Sequence, residues 1–169
     1  MTDTTVPTLS VGEQLLHSTV RLECQNAAGG RSSGTGFNFA FEIDGMQVAT
    51  VITNRHVFDG AVSCEFSYTL ADAAGRSTGK HEKFLTTEFN KAWIGHPEPS
   101  VDLALFPIQP LFSEMEKAGK RPFYINLGEG IVATAKMLAG LEHRRHNYDR
   151  IPASLLAGLQ SDRATLRQT

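Results

Sequence analysis

This chain is poor in the residues that usually announce a compartment or a cofactor. It holds two cysteines, Cys24 and Cys64, and one tryptophan in 169 residues. Two cysteines without a Cys-x-x-Cys spacing indicate neither a disulfide framework nor a zinc site. Both fall in predicted strands and read as small buried hydrophobes. Charge of one sign is lacking too: 16 lysines and arginines face 18 acids, a formal net charge of −2. That balance gives no general attraction to nucleic acid or to an anionic membrane. No apolar run reaches the length of a membrane span. The opening Met1-Thr-Asp-Thr-Thr-Val-Pro-Thr-Leu9 has no basic region and no apolar core, so no secretory signal is read there. These absences give the expectation of a cytoplasmic protein without cofactor, metal, nucleic-acid partner or membrane partner.

What is present is a series of alternating segments. Val20, Leu22 and Cys24 share one face of a predicted strand from Thr19. A glycine-rich stretch, Ala27 to Gly36, reads as a hairpin loop, since it lacks the Gly-Lys-Ser/Thr ending of a phosphate loop. Phe37, Phe39, Phe41 and Ile43 then alternate with polar or small residues, and the stripe is expected to face the core. Asp44-Gly45 is a strong hairpin signal. Val62, Cys64, Phe66 and Tyr68 form another stripe, and residues 80–88 read as an exposed strand. Val11 to His17 suggests a short helical turn, and Phe112 to Gly119 a short helix.

Two segments carry chemistry. Val48-Ala-Thr-Val-Ile-Thr-Asn-Arg-His56-Val-Phe58 is a buried-strand pattern that stops abruptly at a histidine. A histidine just past a strand end is held stiffly, as a general base needs. Ser100-Val-Asp102-Leu-Ala-Leu-Phe-Pro-Ile108 is a second apolar run with one carboxylate at its mouth. A carboxylate at risk of burial needs a partner, and a histidine is a natural one. His96, on a Pro-rich loop six residues before Asp102, is the competing partner.

Thr35-Gly-Phe37, Val51-Ile-Thr-Asn-Arg-His-Val-Phe58 and Val101-Asp-Leu-Ala-Leu-Phe-Pro-Ile108, in that order, resemble the first half of a trypsin-like (chymotrypsin-fold) serine peptidase. The separation of His56 and Asp102, 46 residues, is also similar to that family's. The resemblance implies that His56 is the general base and Asp102 its orienting carboxylate, with a peptide or protein as substrate. It implies a mainly β fold: one six-stranded antiparallel β-barrel of trypsin-like type, followed by a short helical C-terminal tail. The expected division is a flexible arm over residues 1–15, the barrel over 16–110, and a helical or poorly ordered tail over 111–169.

The resemblance stops after Ile108, where 61 residues remain. A second barrel of similar size does not fit into them at roughly five or six residues per strand plus turns. Ser113, Ser154 and Ser161 are the only later serines, and none stands in a Gly-x-Ser-Gly setting. Ile131–Leu141 and Pro152–Leu166 are Ala/Leu-rich and helix-like. His143 and His146 have helical spacing but no third ligand. Two functions follow as expectations. One is a trypsin-like serine endopeptidase relative, truncated or frame-shifted before its nucleophilic serine and therefore inactive as this chain. The other is a non-catalytic single-barrel module that binds a protein partner at the open barrel face.

Overall fold

The structure, a computed structural model, describes residues 9–138. By compactness the chain divides into Met1–Gly130 and Ile131–Thr169. Of the second unit only residues 131–138 are described; there Thr134 starts a helical turn, its carbonyl accepting from the Leu138 N–H. The expected helix over residues 152–166 and the His143/His146 pair lie outside the described residues.

The first unit is mainly β. Helix α1, Val11–Ser18, opens it, and a capping box between Ser10 and Glu13 satisfies its first amides. The helix takes in the last five residues of the expected arm. Strand β1, Thr19–Asn26, follows, then β2, Arg31–Ile43, and β3, Met46–Thr53. The β2–β3 turn is the expected Asp44-Gly45, both with positive φ, 50° and 76°. A short helix α2, Arg55–Phe58, leaves the end of β3. Then come β4, Ala61–Ala71, β5, Ser77–Thr87, β6, Ile94–Gly95, and β7, Ala104–Pro107.

The sheet runs β5-β4-β1-β2-β3-β7-β6, with every neighbour along that path antiparallel. It is not closed: β5 stands at one end and β6 at the other. The expected count of six strands before residue 108 becomes seven, because Ile94–Gly95, read as loop, pairs with β7. After α3, Gln109–Lys117, the chain returns to the sheet twice more. Strand β8, Pro122–Phe123, pairs with β4, and β9, Leu127–Gly128, lies parallel to β2. The β unit thus extends past residue 110, where the helical tail was expected to begin. Two-residue strands carry no periodicity, so nothing in the sequence marked them.

The core is built from β1, β4, α2, β7 and α3. Val20, Leu22, Phe58, Phe66, Phe89, Phe106, Ile108 and Met115 are all buried within it. Phe66 lies 4.9 Å from Phe106 and 6.1 Å from Phe89 between ring centroids, and Phe58 lies 4.8 Å from Phe89. In β4 the core face is Cys64, Phe66 and Tyr68, as expected, but Val62 points out. A register shift between Gln25 and Asn26 opposite it puts Ala61 inside instead.

The phenylalanine stripe of β2 meets the expectation only in part: Phe39 is buried, while Phe37 and Phe41 are half-buried. Gly36 and Asn38 are buried on one face, and Phe37, the buried Phe39 and Phe41 share the other. There they stack on one another, with Phe39 and Phe41 4.8 Å apart. Alternation identifies two faces, and burial of the neighbours decides which is inside. Gly36 allows this choice: a Cβ there would lie 2.6 Å from Val51 and 3.0 Å from the Ile52 carbonyl. The expected loop over Ala27–Gly36 therefore shrinks to residues 27–30, and its later glycines belong to β2.

Asn38 is buried with both ends of its side-chain amide hydrogen-bonded. Its amide nitrogen donates to the Ser18 carbonyl at 3.3 Å, and its Oδ1 accepts from the Tyr68 hydroxyl at 2.6 Å. Burial pushes the Tyr68 phenol far up, so it remains a donor. Tyr68→Phe leaves Asn38 Oδ1 orphaned in the core and is expected to cost about 1–3 kcal/mol. Chemical denaturation checks this, and an unchanged midpoint would show that the bond contributes nothing net.

The two cysteines depart from the expectation as well. Cys24 and Cys64 are register partners in β1 and β4, their Cα atoms 4.0 Å apart, and they form a disulfide. They are buried, as expected, but not free. Forty residues separate them, and no local motif announces a pairing made by sheet topology alone. Structural disulfides persist mainly in oxidising compartments. The bond therefore removes the cysteine ground for a cytoplasmic location. Among the described residues no helix is long and apolar enough to cross a membrane.

Candidate active site

Three strands form the support of the site. Thr53 at the end of β3 pairs with Ala104 at the start of β7, and Ala104 pairs with Gly95 at the end of β6. Everything beyond this row belongs to one rim: Asn54, Arg55 and His56 after β3, Asp102 and Leu103 before β7, and His96 after β6. Thr53 is anchored by donating its hydroxyl to the Thr35 carbonyl at 3.0 Å. Ser32 donates to the Val57 carbonyl at 2.8 Å and ties α2 to β2.

On this rim His56 and Asp102 meet. His56 Nδ1 is 2.7 Å from Asp102 Oδ2, and the His56 backbone N–H donates to Asp102 Oδ1 at 3.0 Å. Asn54 adds a third contact, its Nδ2 lying 3.2 Å from both Asp102 Oδ2 and the Asp102 carbonyl. The Asp102 carboxylate thus grips one residue by ring and backbone together, which fixes the imidazole plane. Asn54, the link residue between strand and histidine, has a holding function that the sequence motif did not single out.

The His56 backbone N–H first, and then its ring, hold the Asp102 carboxyl below its ordinary range; Asn54 contributes less. An ionised carboxylate only accepts, so the proton of the 2.7 Å contact sits on Nδ1. That leaves the Nε2 lone pair as the free basic atom. The pair is open to water, with side-chain exposures of 72% for His56 and 48% for Asp102. A carboxyl whose folded pKa is depressed adds stability above its unfolded pKa and loses it as pH falls through the folded value. Asp102→Asn is expected to abolish that acid-side contribution, so the parent-minus-variant stability difference shrinks as pH drops below the ordinary carboxylate range. Denaturation curves at a series of acid pH values read it, and a constant difference would contradict it.

His96 sits on the same rim but takes another partner: its Nδ1 accepts from the Glu98 N–H at 3.1 Å. Of the serines that follow Asp102, Ser113 is the one among the described residues, and its hydroxyl is already engaged. Ser113 donates to the Gln109 carbonyl within α3 at 3.0 Å. Ser154 and Ser161 lie outside the described residues. Among the described residues no cluster of three or more His, Cys, Asp or Glu could hold a metal ion.

Beside the pair, Ile52, Leu105 and Ile94 stand in one register row across β3, β7 and β6. With Phe41, Leu103 and Pro97 they line an apolar groove of about 250 Å³. No protein-family model, curated protein or solved structure matches the chain.

Proposed function

We propose that this chain carries the general-base half of a trypsin-like serine endopeptidase site, with His56 as base and Asp102 as its orienting carboxylate. The observation that carries the reading is the double hold of Asp102 on the ring and the backbone N–H of His56. In such a site Nε2 takes the proton of an attacking hydroxyl and returns it to the leaving amine. Among the described residues no serine hydroxyl hydrogen-bonds His56, whose ring contact is with Asp102, and the sequence has no Gly-x-Ser-Gly after Asp102. Peptide hydrolysis by this chain alone is therefore expected to be negligible. The six staves of a trypsin-like barrel correspond in this reading to β1, β2, β3, β4, β7 and a composite of β5 with β6. These last two are consecutive in the chain and occupy the two ends of the sheet, so pairing them would close it.

The test is hydrolysis of p-nitrophenyl acetate, whose activated ester needs no oxyanion hole. A slow rate that rises as imidazole deprotonates, and falls to the background of the other histidines in His56→Ala, supports the reading. Equal rates in parent and His56→Ala would sink it. A fluorophosphonate probe is expected to label no serine; labelling of one, lost in His56→Ala, would reveal a nucleophile and overturn the expectation of negligible hydrolysis.

The apolar groove beside the pair favours a second reading, a non-catalytic module that binds a protein partner at this face. Absence of any His56 dependence in the ester assay would leave that reading in place.

A further inference from the structure

We infer that Arg55 is a carboxylate-binding residue on the rim of the site, placed to take an acidic side chain of a bound peptide. Arg55 lies between Asn54 and His56, the two residues that grip Asp102. Its guanidinium lies against Gly95: a Cβ built on that glycine would be 3.3 Å from Arg55 Cζ and 3.4 Å from Nε. The same Cβ would be 3.2 Å from Trp93 Cζ3. The missing side chain at Gly95 thus leaves the room that guanidinium and indole share. Arg55 is partly buried, and among the described residues it forms no ion pair and no side-chain hydrogen bond. Asp59, four residues on and at ion-pair spacing for a helix, does not engage it; Asp102 is taken up by His56 and Asn54, and Glu98 accepts from Ser100. A guanidinium is always charged and carries five donors in a fixed plane. Held in place without an acceptor, it is a fork waiting for a carboxylate, which it binds through two parallel N–H···O bonds.

That the carboxylate belongs to a peptide rests on the peptidase reading of His56 and Asp102. The binding itself does not. Trp93 is the only tryptophan and flanks the same glycine, so its fluorescence reports occupancy of Arg55 directly. The parent protein is titrated with an acetylated, amidated hexapeptide carrying one glutamate, and with its glutamine twin. A saturable fluorescence change with the glutamate peptide and little with the glutamine twin is expected. Arg55→Met should weaken it about tenfold or more. Gly95→Ala, which forces the guanidinium aside by a few tenths of an ångström, should weaken it less. His56→Ala should leave the glutamate preference intact, so failure of the peptidase reading does not mask this result. Equal responses to both peptides overturn the proposal. So does an equal response to acetate or inorganic phosphate at the same concentration, which would mark a general anion contact.

Discussion

Replacing both Cys24 and Cys64 by alanine is expected to destabilise the protein by about 4 kcal/mol, using the loop-entropy relation for a disulfide that closes roughly 40 residues. Small domains have only about 5–15 kcal/mol in hand, so this is a large fraction of the total. The closed loop contains β2, β3 and α2, and hence His56. With the bond cut, the unfolded chain regains the freedom of that whole segment, while the folded state loses little apolar packing. Urea denaturation of parent and double variant without reductant measures the effect. A second arm adds dithiothreitol, which should bring the parent down to the variant. Coincident curves for parent and variant without reductant would mean that the two thiols of the isolated protein are not joined. Free-thiol titration in denaturant confirms the oxidation state independently.

Phe66→Ala is expected to cost about 3–5 kcal/mol, the range for truncating a fully buried aromatic ring. Phe66 is completely buried in β4 and contacts Phe106 of β7 and Phe89. Its loss opens a cavity between the sheet's centre and the strand that presents Asp102. Phe66→Leu keeps most of the apolar volume and should recover a good part of the loss. A change under about 1 kcal/mol in Phe66→Ala would show that the core does not hinge on this ring. Phe66 is two residues from Cys64 on the same face of β4, so its effect and that of the disulfide should not add simply.

How much of this was legible in the sequence depends on whether a feature is local. The contact of His56 with Asp102 was readable because a carboxylate at the mouth of an apolar run needs a partner, and the order and spacing of the two motifs pointed to this histidine. The Asp44-Gly45 turn was readable because positive φ at two successive residues restricts the choice of side chain. The burial of the β2 stripe was readable only in part. Period two separates the faces, and only neighbours, such as Leu22 and Val51 closing on Gly36, decide how far each is buried. The same limit hid the disulfide, since Cys24 and Cys64 meet through the pairing of β1 with β4, which no spacing rule encodes. Strands β8 and β9 were hidden for another reason: two residues each are too short to show any alternation.

Lys83 illustrates how non-local register settles surface chemistry as well. Glu23 and Glu65 stand directly opposite one another in β1 and β4, a repulsive arrangement. Lys83 of β5 reaches both carboxylates and neutralises it. Glu23 is held ionised below its ordinary range, chiefly by the hydrogen bond from Lys83.

The pairing of Thr53 with Ala104 has a further consequence. His56 and Asp102 each follow or precede that pair by two or three residues, so the site acts as a gauge of strand alignment. A slip of one residue displaces one partner by about 3.3 Å, more than a hydrogen bond can span. The number of residues in the loops between them is under no such restraint. Residues could be added or removed at the turn after Ala71, or in the loop around Pro97–Pro99, without moving either end of the contact. The 46-residue interval is thus a matter of loop length, and the requirement imposed by geometry is confined to the few residues on either side of one cross-strand pair.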